Sequence, residues 1–247
     1  MKFEDHFSRQ AKEYAQYRPH HPAKLFKYLA SITPEHKLVW DCGTGNGQAA
    51  IELTRYFEKV IATDASSDQI FNIFKHKKID YRIELAEKVS LDSASVDLVT
   101  VAVAVHWFDL NRFYSEVKRI LKPNGVLAVW TYFLSEINPE IDQILMEYFS
   151  EILKGYWPSR IQYVQNHYKT LPFHFDELTP PVFTTSALWN LDQTIGFLTS
   201  WSATQKYIEK AGHHPVELIW PKLETAWGEA AKVRKVQWQL YMRVGKV

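Results

Sequence analysis

Several features that mark particular classes of protein are scarce or missing in this chain of 247 residues. Cys42 is the only cysteine, which excludes an intrachain disulfide framework and favours a reducing compartment. Nowhere do about 18 apolar residues run together, and the charged N-terminal stretch has no apolar core of signal-peptide length. Lysine plus arginine (29) nearly balance aspartate plus glutamate (28), so the chain has no basic field of the kind that collects nucleic acid or anionic membrane. We expect a soluble cytoplasmic protein without a nucleic-acid or membrane partner, and the sequence leaves its oligomeric state open.

What the sequence does contain is an alternation of short β-rich runs and helical patterns from residue 23 to residue 132. The run at 95–105 is almost continuously apolar, as a central parallel strand buried on both faces requires. Alternating strands and helices predict an α/β fold with a doubly wound, mostly parallel sheet. The predicted strands are 37–41, 59–64, 79–86, 95–105 and 126–132, and the predicted helices are 22–32, 47–57, 67–77 and 113–121.

The pattern changes after residue 132. Apolar residues at three- and four-residue steps predict a strongly amphipathic helix over 140–157, and a proline-punctuated aromatic stretch follows. A strand over 183–192, a helical region interrupted at Pro221 and a last strand over 232–244 complete the chain. We predict one domain, with an N-terminal lid segment (1–22), the alternating core (23–132), a helical cap inserted after the fifth strand (133–182) and the last strands and helices (183–247).

The first predicted strand leads into a loop that carries three glycines within five residues, in the stretch LVWDCGTGNGQ at 38–48. Alternate glycines let the backbone turn sharply and approach a ligand, while the following helix presents free N–H groups. A dinucleotide fingerprint would place its third glycine where Gln48 stands, so a pyrophosphate loop is a poor fit. The acid Asp41 followed by G-x-G-x-G resembles motif I of the class I S-adenosylmethionine-dependent methyltransferases.

Later stretches continue this resemblance in the order that the family has. Asp64 ends the second predicted strand, where an ionised carboxylate would accept hydrogen bonds from both hydroxyls of a ribose. LAEKVSLDSASVDLVTVAVAVHWFD and RILKPNGVLAVW are similar to the family's later motifs, so the likeness covers roughly residues 35–132. It implies a Rossmann-like sheet of seven strands that binds S-adenosylmethionine and releases S-adenosylhomocysteine. VHWFD, YAQYRPHHP and TSWSATQKY resemble the trans-aconitate methyltransferase type, whereas 133–190 carries no such likeness.

The resemblance also implies which residues form the site. Ala86 and Glu87 stand where the family contacts the edge of the adenine, and Val103 to His106 form the end of the fourth strand beneath the sulfonium. Tyr17 and Arg18 lie in a segment that could fold over the cofactor and meet its carboxylate. The predicted cofactor-binding residues are Tyr17, Arg18, Asp41, Gly43, Thr44, Gly45, Gly47, Asp64, Ala65, Ala86, Glu87 and Val103. The predicted substrate-binding residues are His106, Trp107, Tyr132 and Trp201, and His106 is the candidate catalytic residue.

The chemistry of methyl transfer narrows the range of groups that could accept the methyl. No metal is expected, because the sulfonium already activates the methyl group and the ten histidines form no convincing ligand cluster. A carboxylate is ionised at neutral pH and needs no general base, and the trans-aconitate likeness points the same way. Arg160 and Lys206 are cations that could pair with such an acid. His106 would be the base for a hydroxyl or amine acceptor, or else a structural histidine.

Three classes of function therefore stay open, with a fourth at a distance. The leading hypothesis is an enzyme that methylates a small molecule, with the carboxylate of a small organic acid as the expected acceptor. The alternatives are a methyltransferase acting on protein or nucleic acid, against which the near-neutral charge stands, and a non-catalytic protein that binds adenosylmethionine. A nicotinamide-dependent oxidoreductase is the distant fourth, since fold alone does not settle function.

Overall fold

The computed structural model describes residues 17–71, 73 and 75–247. Its strands are β1 Leu38–Cys42, β2 Lys59–Asp64, β3 Ile79–Ile83, β4 Val96–Ala102, β5 Leu121–Tyr132, β6 Asp176–Leu178, β7 Phe183–Trp189 and β8 Arg234–Lys246. Its α-helices are α1 Ala23–Ile32, α2 Gln48–Leu53, α3 Ser67–Phe71, α4 Leu110–Ile120, α5 Pro139–Glu147, α6 Ile161–Gln165, α7 Leu191–Thr199, α8 Ser202–Ala211 and α9 Trp220–Trp227. A π-helical turn, Tyr148–Ile152, follows α5, and 3₁₀ turns span Val105–Trp107 and Pro215–Leu218. Among the residues described, no helix is both long and apolar enough to cross a membrane.

These strands form one eight-stranded sheet across the described part of the chain, in the order β3-β2-β1-β4-β5-β8-β6, with β7 also paired to β8. Neighbours among β1 to β5 pair in parallel, whereas β8 runs antiparallel to β5, β6 and β7. The predicted doubly wound, mostly parallel sheet is confirmed. The predicted number of seven strands is wrong.

The eighth strand arises from a break in the outer edge of the sheet. β6 and β7 both pair with β8, β6 at residues 244–246 and β7 at residues 234–240. Pro180 and Pro181 lie between them and have no N–H group to donate to a sheet ladder, so the edge is interrupted there. The sequence placed β6 in the cap, because a strand of three residues is too short to show an alternating pattern.

Alternate residues of the central strands pack into two separate cores, one on each face of the sheet. In β5, Val126, Ala128 and Trp130 belong to one core, and Leu127 and Val129 belong to the other. α1 packs its buried residues into the first core and α4 packs its own into the second. A parallel sheet covered in this way exposes only the ends of its strands, which is where ligands bind in such folds.

The end of β4 differs from the prediction. The predicted strand at 95–105 stops at Ala102, because Val103 has a φ of +55°, a left-handed conformation that a β-branched residue seldom adopts. The chain then turns through the 3₁₀ segment that contains His106. His106 therefore lies in a turn beyond the strand rather than at the strand's end.

Two further predicted boundaries shift for local reasons. The helix predicted over 140–157 is α-helical only as far as Glu147, after which it widens into the π-helical turn. Pro221 does not interrupt a helix. It stands in the first turn of α9, where the missing proline N–H would have no intrahelical partner in any case.

Candidate active site

The glycine loop between β1 and α2 has a backbone that glycine alone adopts without strain. Gly43, Gly45 and Gly47 have φ values of +66°, +53° and +79°, all in the left-handed region. A Cβ on Gly43 would lie 2.7 Å from the Cβ of Ala104, so the loop packs directly against the segment that follows β4. A Cβ on Gly45 would meet no heavy atom of the described chain within 4 Å. Gly45 thus borders an open space that a ligand could enter.

Asp64 stands beside this loop at the end of β2. Its Oδ2 accepts a hydrogen bond from the backbone N–H of Gly45 at 2.9 Å, and its Oδ1 accepts one from the backbone N–H of Ser66 at 2.9 Å. The loop is also tied to β2 by the N–H of Thr44, which donates to the carbonyl of Thr63 at 2.9 Å. These two hydrogen bonds fix the orientation of the Asp64 carboxylate beside the glycine loop.

Asp41, at the end of β1, supports the glycine loop through the hydroxyl of Thr44. Its carboxylate is 1% exposed and accepts hydrogen bonds from the hydroxyls of Thr44 at 2.6 Å and Thr100 at 2.7 Å. The pKa of Asp41 is raised to about 6, mainly by burial and also by the charge of Asp64, while the two threonine hydroxyls oppose the shift. This burial favours a supporting role through Thr44 rather than the direct ligand contact expected of Asp41.

Glu87, one of the two residues predicted to contact the edge of the adenine, already makes a hydrogen bond within the protein. Oε1 of Glu87 accepts a hydrogen bond from the backbone N–H of Asp109 at 2.8 Å, just before α4 begins. Ala86 is buried, with 7% of its surface exposed, and Ala65 next to Asp64 is half-buried. Glu87 therefore anchors the segment after the 3₁₀ turn through Oε1.

A cavity of about 90 Å³ brings together six of the predicted residues. They are Arg18, Val103, His106, Trp107, Tyr132 and Trp201. The other lining residues are Phe133, Leu134, Phe149, Trp157, Ile161, Val164, Phe197 and Ser202, none of which the sequence singled out. Most of the latter come from the cap and from α7. The sequence held a signal for Phe149, which lies on the apolar face of the amphipathic helix predicted over 140–157.

His106 is a buried, neutral wall of this cavity. Its Nδ1 is hydrogen-bonded to the hydroxyl of Tyr168 at 2.8 Å, and only 4% of its surface is exposed. Burial lowers the pKa of His106 to about 3, and the positive charges of Arg160 and Arg18 act in the same direction. An imidazole with so low a pKa is a weak proton acceptor near neutral pH.

Tyr168, which the sequence did not indicate, is fully buried and reaches His106 from the cap. Tyr168 and the preceding His167 both have left-handed backbones, with φ values of +59° and +55°. The ring of His167 stacks on the ring of Tyr241 in β8, with 3.6 Å between the ring centroids. These two strained residues fasten the cap both to the site and to the sheet.

Tyr17 and Arg18 lie against α7, and residues 1–16 of the predicted lid segment lie outside the described residues. Arg18 donates through Nη1 to the hydroxyl of Tyr132 at 3.0 Å and through Nη2 to the carbonyl of Ser200 at 3.1 Å. Gly196 makes room for the ring of Tyr17, since a Cβ there would lie 2.7 Å from ring atoms. Arg18 therefore shares the cavity with the predicted substrate residues.

The two other cations considered from the sequence are placed differently. Nη1 of Arg160 donates to the carbonyls of Trp107 at 3.0 Å and Phe108 at 2.6 Å, so Arg160 ties the start of α6 to the 3₁₀ turn. Lys206 lies on α8 and is not among the residues that line the cavity. Among the described residues, no three His, Cys, Asp or Glu side chains come together as metal ligands would.

The methyltransferase domain family matches residues 40–129, the part of the chain that contains the glycine loop and Asp64. A Dictyostelium discoideum protein named as a methyltransferase is 35% identical over 99% of this chain and 96% of its own length. The chain belongs to the class I S-adenosylmethionine-dependent methyltransferases. A Saccharomyces cerevisiae protein named as an S-adenosylmethionine-dependent methyltransferase is 30% identical over 53% of this chain and 47% of its own length.

A solved structure from Anaeromyxobacter dehalogenans, described as a type II methyltransferase, resembles this methyltransferase over nearly its whole length. The TM-score is 0.86 and the identity is 36%, over 93% of this chain and 98% of the other. The likeness therefore extends beyond the matched domain into the cap and the last strands. The predicted enzyme class is confirmed.

The residues at the glycine loop fit the cofactor that this family implies, S-adenosylmethionine. The space beside Gly45 lets a ligand approach the backbone, and the fixed carboxylate of Asp64 adjoins it. A group with vicinal hydroxyls, such as a ribose, suits an ionised carboxylate at this place. The names of the three relatives given above specify no acceptor, so the acceptor must be argued from the cavity.

Proposed function

We propose that this methyltransferase esterifies a carboxylate of a small organic acid, the reaction that the trans-aconitate likeness implies, inside the cavity beside His106. One observation carries the proposal: among the described lining residues there is no Asp, Glu or Lys, and the one histidine has a pKa lowered to about 3. A phenol or a protonated amine must lose a proton, and this wall offers no base with a pKa near neutrality. A carboxylate has already lost its proton at neutral pH.

In this proposal the glycine loop holds the cofactor and the cavity holds the acceptor. Asp64 accepts hydrogen bonds from the ribose, the backbone at Gly45 faces the ligand, and Asp41 keeps the loop in shape through Thr44. When bound, S-adenosylmethionine supplies a methyl group on a sulfonium, which a carboxylate oxygen accepts to give a methyl ester and S-adenosylhomocysteine. No proton is released, so no base is needed. The other residues proposed to contact the cofactor are Tyr17, Thr44, Gly47, Ala65, Ala86 and Glu87.

The remaining side chains orient the acceptor and exclude water. The guanidinium of Arg18, expected from the sequence to meet the cofactor's carboxylate, shares the cavity with His106 and Trp201. We therefore assign its positive charge to the acceptor's acid group. The aromatic residues from the cap close the space over it, which strengthens that electrostatic attraction by keeping water out.

The proposal is tested with methyl-labelled S-adenosylmethionine, the full chain and a metabolite extract. Mild alkali releases the label from a methyl ester but not from a methyl ether or a methylamine. We expect an alkali-labile label in the small-molecule fraction and none on protein or RNA, in keeping with the near-balance of charge and with the cytoplasmic location that is part of this proposal. An alkali-stable product would overturn the assignment of the acceptor.

The role of His106 is tested by the pH dependence of turnover with the labelled acid. His106 stays neutral because its pKa is lowered to about 3, so kcat should show no ionisation from this residue between about pH 5 and pH 8. His106→Ala should keep kcat within about tenfold of the wild type. A loss of several hundredfold, together with the disappearance of an acidic limb near pH 6–7, would instead make His106 a general base.

A further inference from the structure

His106 has one ring nitrogen engaged inside the protein and one left for the cavity. Its Nδ1 is hydrogen-bonded to the hydroxyl of Tyr168 at 2.8 Å, and Tyr168 is not among the residues that line the cavity. His106 itself lines the cavity, and within the part of the chain that the structure describes its Nε2 has no hydrogen-bond partner. Nε2 is therefore the atom of this imidazole that a bound acceptor can meet.

The protonation of this imidazole links its two nitrogens. Burial lowers the pKa of His106 to about 3, and the positive charges of Arg160 and Arg18 act in the same direction, so the ring is neutral at neutral pH. A neutral imidazole carries one N–H, so one nitrogen donates and the other accepts. A carboxylate offers only acceptor atoms, so it requires the proton on Nε2. Nδ1 must then accept, and the hydroxyl of Tyr168 must donate to it.

The backbone that presents Tyr168 is strained and held in place from two directions. Tyr168 and His167 have left-handed φ values of +59° and +55°, which residues with a Cβ adopt only at a cost. The N–H of Tyr168 donates to the carbonyl of Tyr163 at 2.7 Å, and the ring of His167 stacks on Tyr241 in β8. Strain that the surrounding structure enforces is concentrated at functional sites. Here it places a fully buried phenol against Nδ1 of His106.

We infer that Tyr168 is a positioning residue, whose hydroxyl donates to Nδ1 of His106 and so holds the imidazole proton on Nε2 for a hydrogen bond to the acceptor's carboxylate. This inference rests on the proposed function, because it takes the acceptor in the cavity to be a carboxylate. One carboxylate oxygen takes the methyl group while the other accepts the hydrogen bond from Nε2. That hydrogen bond is present before and during transfer, so it contributes to binding of the acceptor more than to turnover.

The position of the proton is measured by nitrogen NMR on the full chain, labelled with ¹⁵N-histidine and saturated with S-adenosylhomocysteine. Protonated and unprotonated ring nitrogens resonate far apart, and the signals that disappear in His106→Ala identify those of His106. We expect Nε2 to be protonated and Nδ1 unprotonated in the wild type at neutral pH. In Tyr168→Phe, which keeps the ring and removes the hydroxyl, the Nδ1 signal should lose the shift that an accepted hydrogen bond produces.

The effect on methyl transfer is measured with methyl-labelled S-adenosylmethionine and a dilution series of one metabolite extract, by counting alkali-labile label. Tyr168→Phe should raise the half-saturating amount of extract by about three- to tenfold, the factor of one neutral hydrogen bond, and leave the maximal rate within about twofold. His106→Ala should raise that amount by about ten- to a hundredfold, since it loses a hydrogen bond to a charged group. Adding Tyr168→Phe to His106→Ala should change nothing further, because Tyr168 acts through His106.

Tyr148→Phe is the matched control. Tyr148 is a fully buried tyrosine in the π-helical turn, its hydroxyl is hydrogen-bonded to that of Thr204 at 3.0 Å, and it does not line the cavity. Tyr148→Phe and Tyr168→Phe therefore each remove one buried hydroxyl, but in Tyr148→Phe the His106 signals and the half-saturating amount of extract should match the wild type. Binding of S-adenosylhomocysteine by each variant shows that the variant is folded.

The two measurements separate the inference from the proposed function. A wild-type imidazole protonated on Nδ1, an unchanged Nδ1 signal in Tyr168→Phe, or additive effects of Tyr168→Phe and His106→Ala would each overturn the inference. The proposed function would stand in all three cases if the extract yields alkali-labile label. An alkali-stable label would instead remove the proposed function and with it the carboxylate partner of Nε2, while the NMR result would still show whether Tyr168 sets the tautomer of His106.

Discussion

The carboxylate of Asp64 is oriented by two backbone N–H groups, one from Gly45 in the loop and one from Ser66 after β2. Both bonds are present within the chain itself, so a ligand meets a carboxylate that needs no reorganisation. Preorganisation of this kind removes an entropic cost from binding. At the scale of single residues, Asp64 is thus the side chain on which affinity for the cofactor should depend most.

Asp64→Ala should weaken the binding of S-adenosylhomocysteine by roughly ten- to a hundredfold, because a lost hydrogen bond to a charged group costs about 1.5–3 kcal/mol. Calorimetric titration of the folded variant measures this. Asp68→Ala is the matched control, since Asp68 is an exposed acid in the neighbouring helix α3. Equal affinities of wild type and Asp64→Ala would remove Asp64 from the cofactor site.

In the glycine loop, the effect of a ligand's close approach to the backbone can be separated experimentally from the effect of backbone conformation on stability. Gly45→Ala should cost about 1–2 kcal/mol of stability from its left-handed φ alone, because no described atom lies within 4 Å of the added Cβ. Affinity for S-adenosylhomocysteine should fall by at least about tenfold, since the methyl group enters the ligand's space.

Gly43→Ala provides the contrast within the same loop. Its Cβ would come within 2.7 Å of Ala104, so overpacking should add about 1–3 kcal/mol to the cost of its backbone. Chemical denaturation and calorimetry of the two variants measure stability and binding separately. Normal binding by a folded Gly45→Ala protein would show that the loop does not cradle the cofactor.

The cap is the element that completes the cavity, and Arg160 is one of its attachments to the core. Arg160→Met keeps an unbranched apolar stem but removes the guanidinium and its hydrogen bonds to the carbonyls of Trp107 and Phe108, a loss of about 1.5–3 kcal/mol. We expect faster amide hydrogen exchange in the 3₁₀ turn and a KM for the acceptor raised by about tenfold, with kcat less affected.

Arg55→Met is the control for the cap, because Arg55 is an exposed arginine paired with Glu52 on the surface at 3.0 Å. Exposed ion pairs of this kind contribute little. Its hydrogen exchange and KM should match those of the wild type. Unchanged exchange in the turn of Arg160→Met would mean that other contacts, such as that between Tyr168 and His106, suffice to hold the cap.

For the whole molecule, the rise in Tm caused by a bound ligand is the most direct test of which cofactor the protein binds. At a hundred times its Kd, S-adenosylhomocysteine should stabilise the folded chain by about 2.7 kcal/mol, which corresponds to a rise in Tm of about 5–10 °C for a chain of this size. NADH at the same concentration should leave Tm unchanged, and Asp64→Ala should reduce the shift. A rise with NADH alone would revive the oxidoreductase alternative.

The sequence by itself determined the parts of this protein that depend on near neighbours in the chain. Alternating apolar patterns predicted most strands and helices up to residue 132, and the glycine spacing at 43–47 predicted a tight turn, which the left-handed φ values bear out. These features are local, because strand period, helix period and backbone freedom are set within a few residues.

The tertiary structure alone decided what depends on contacts between distant segments. His106 meets Tyr168 across 62 positions, and Arg18 meets Tyr132 across 114, so neither pairing leaves a pattern in the sequence. The lowered pKa of His106 comes from burial, which is a property of the packed cavity and not of the residue. The break of the outer strand at Pro180 and Pro181 likewise became visible only once β8 supplied the partner for both halves. Local chemistry therefore fixes the elements and the loop, whereas desolvation and long-range packing fix the chemistry of the cavity.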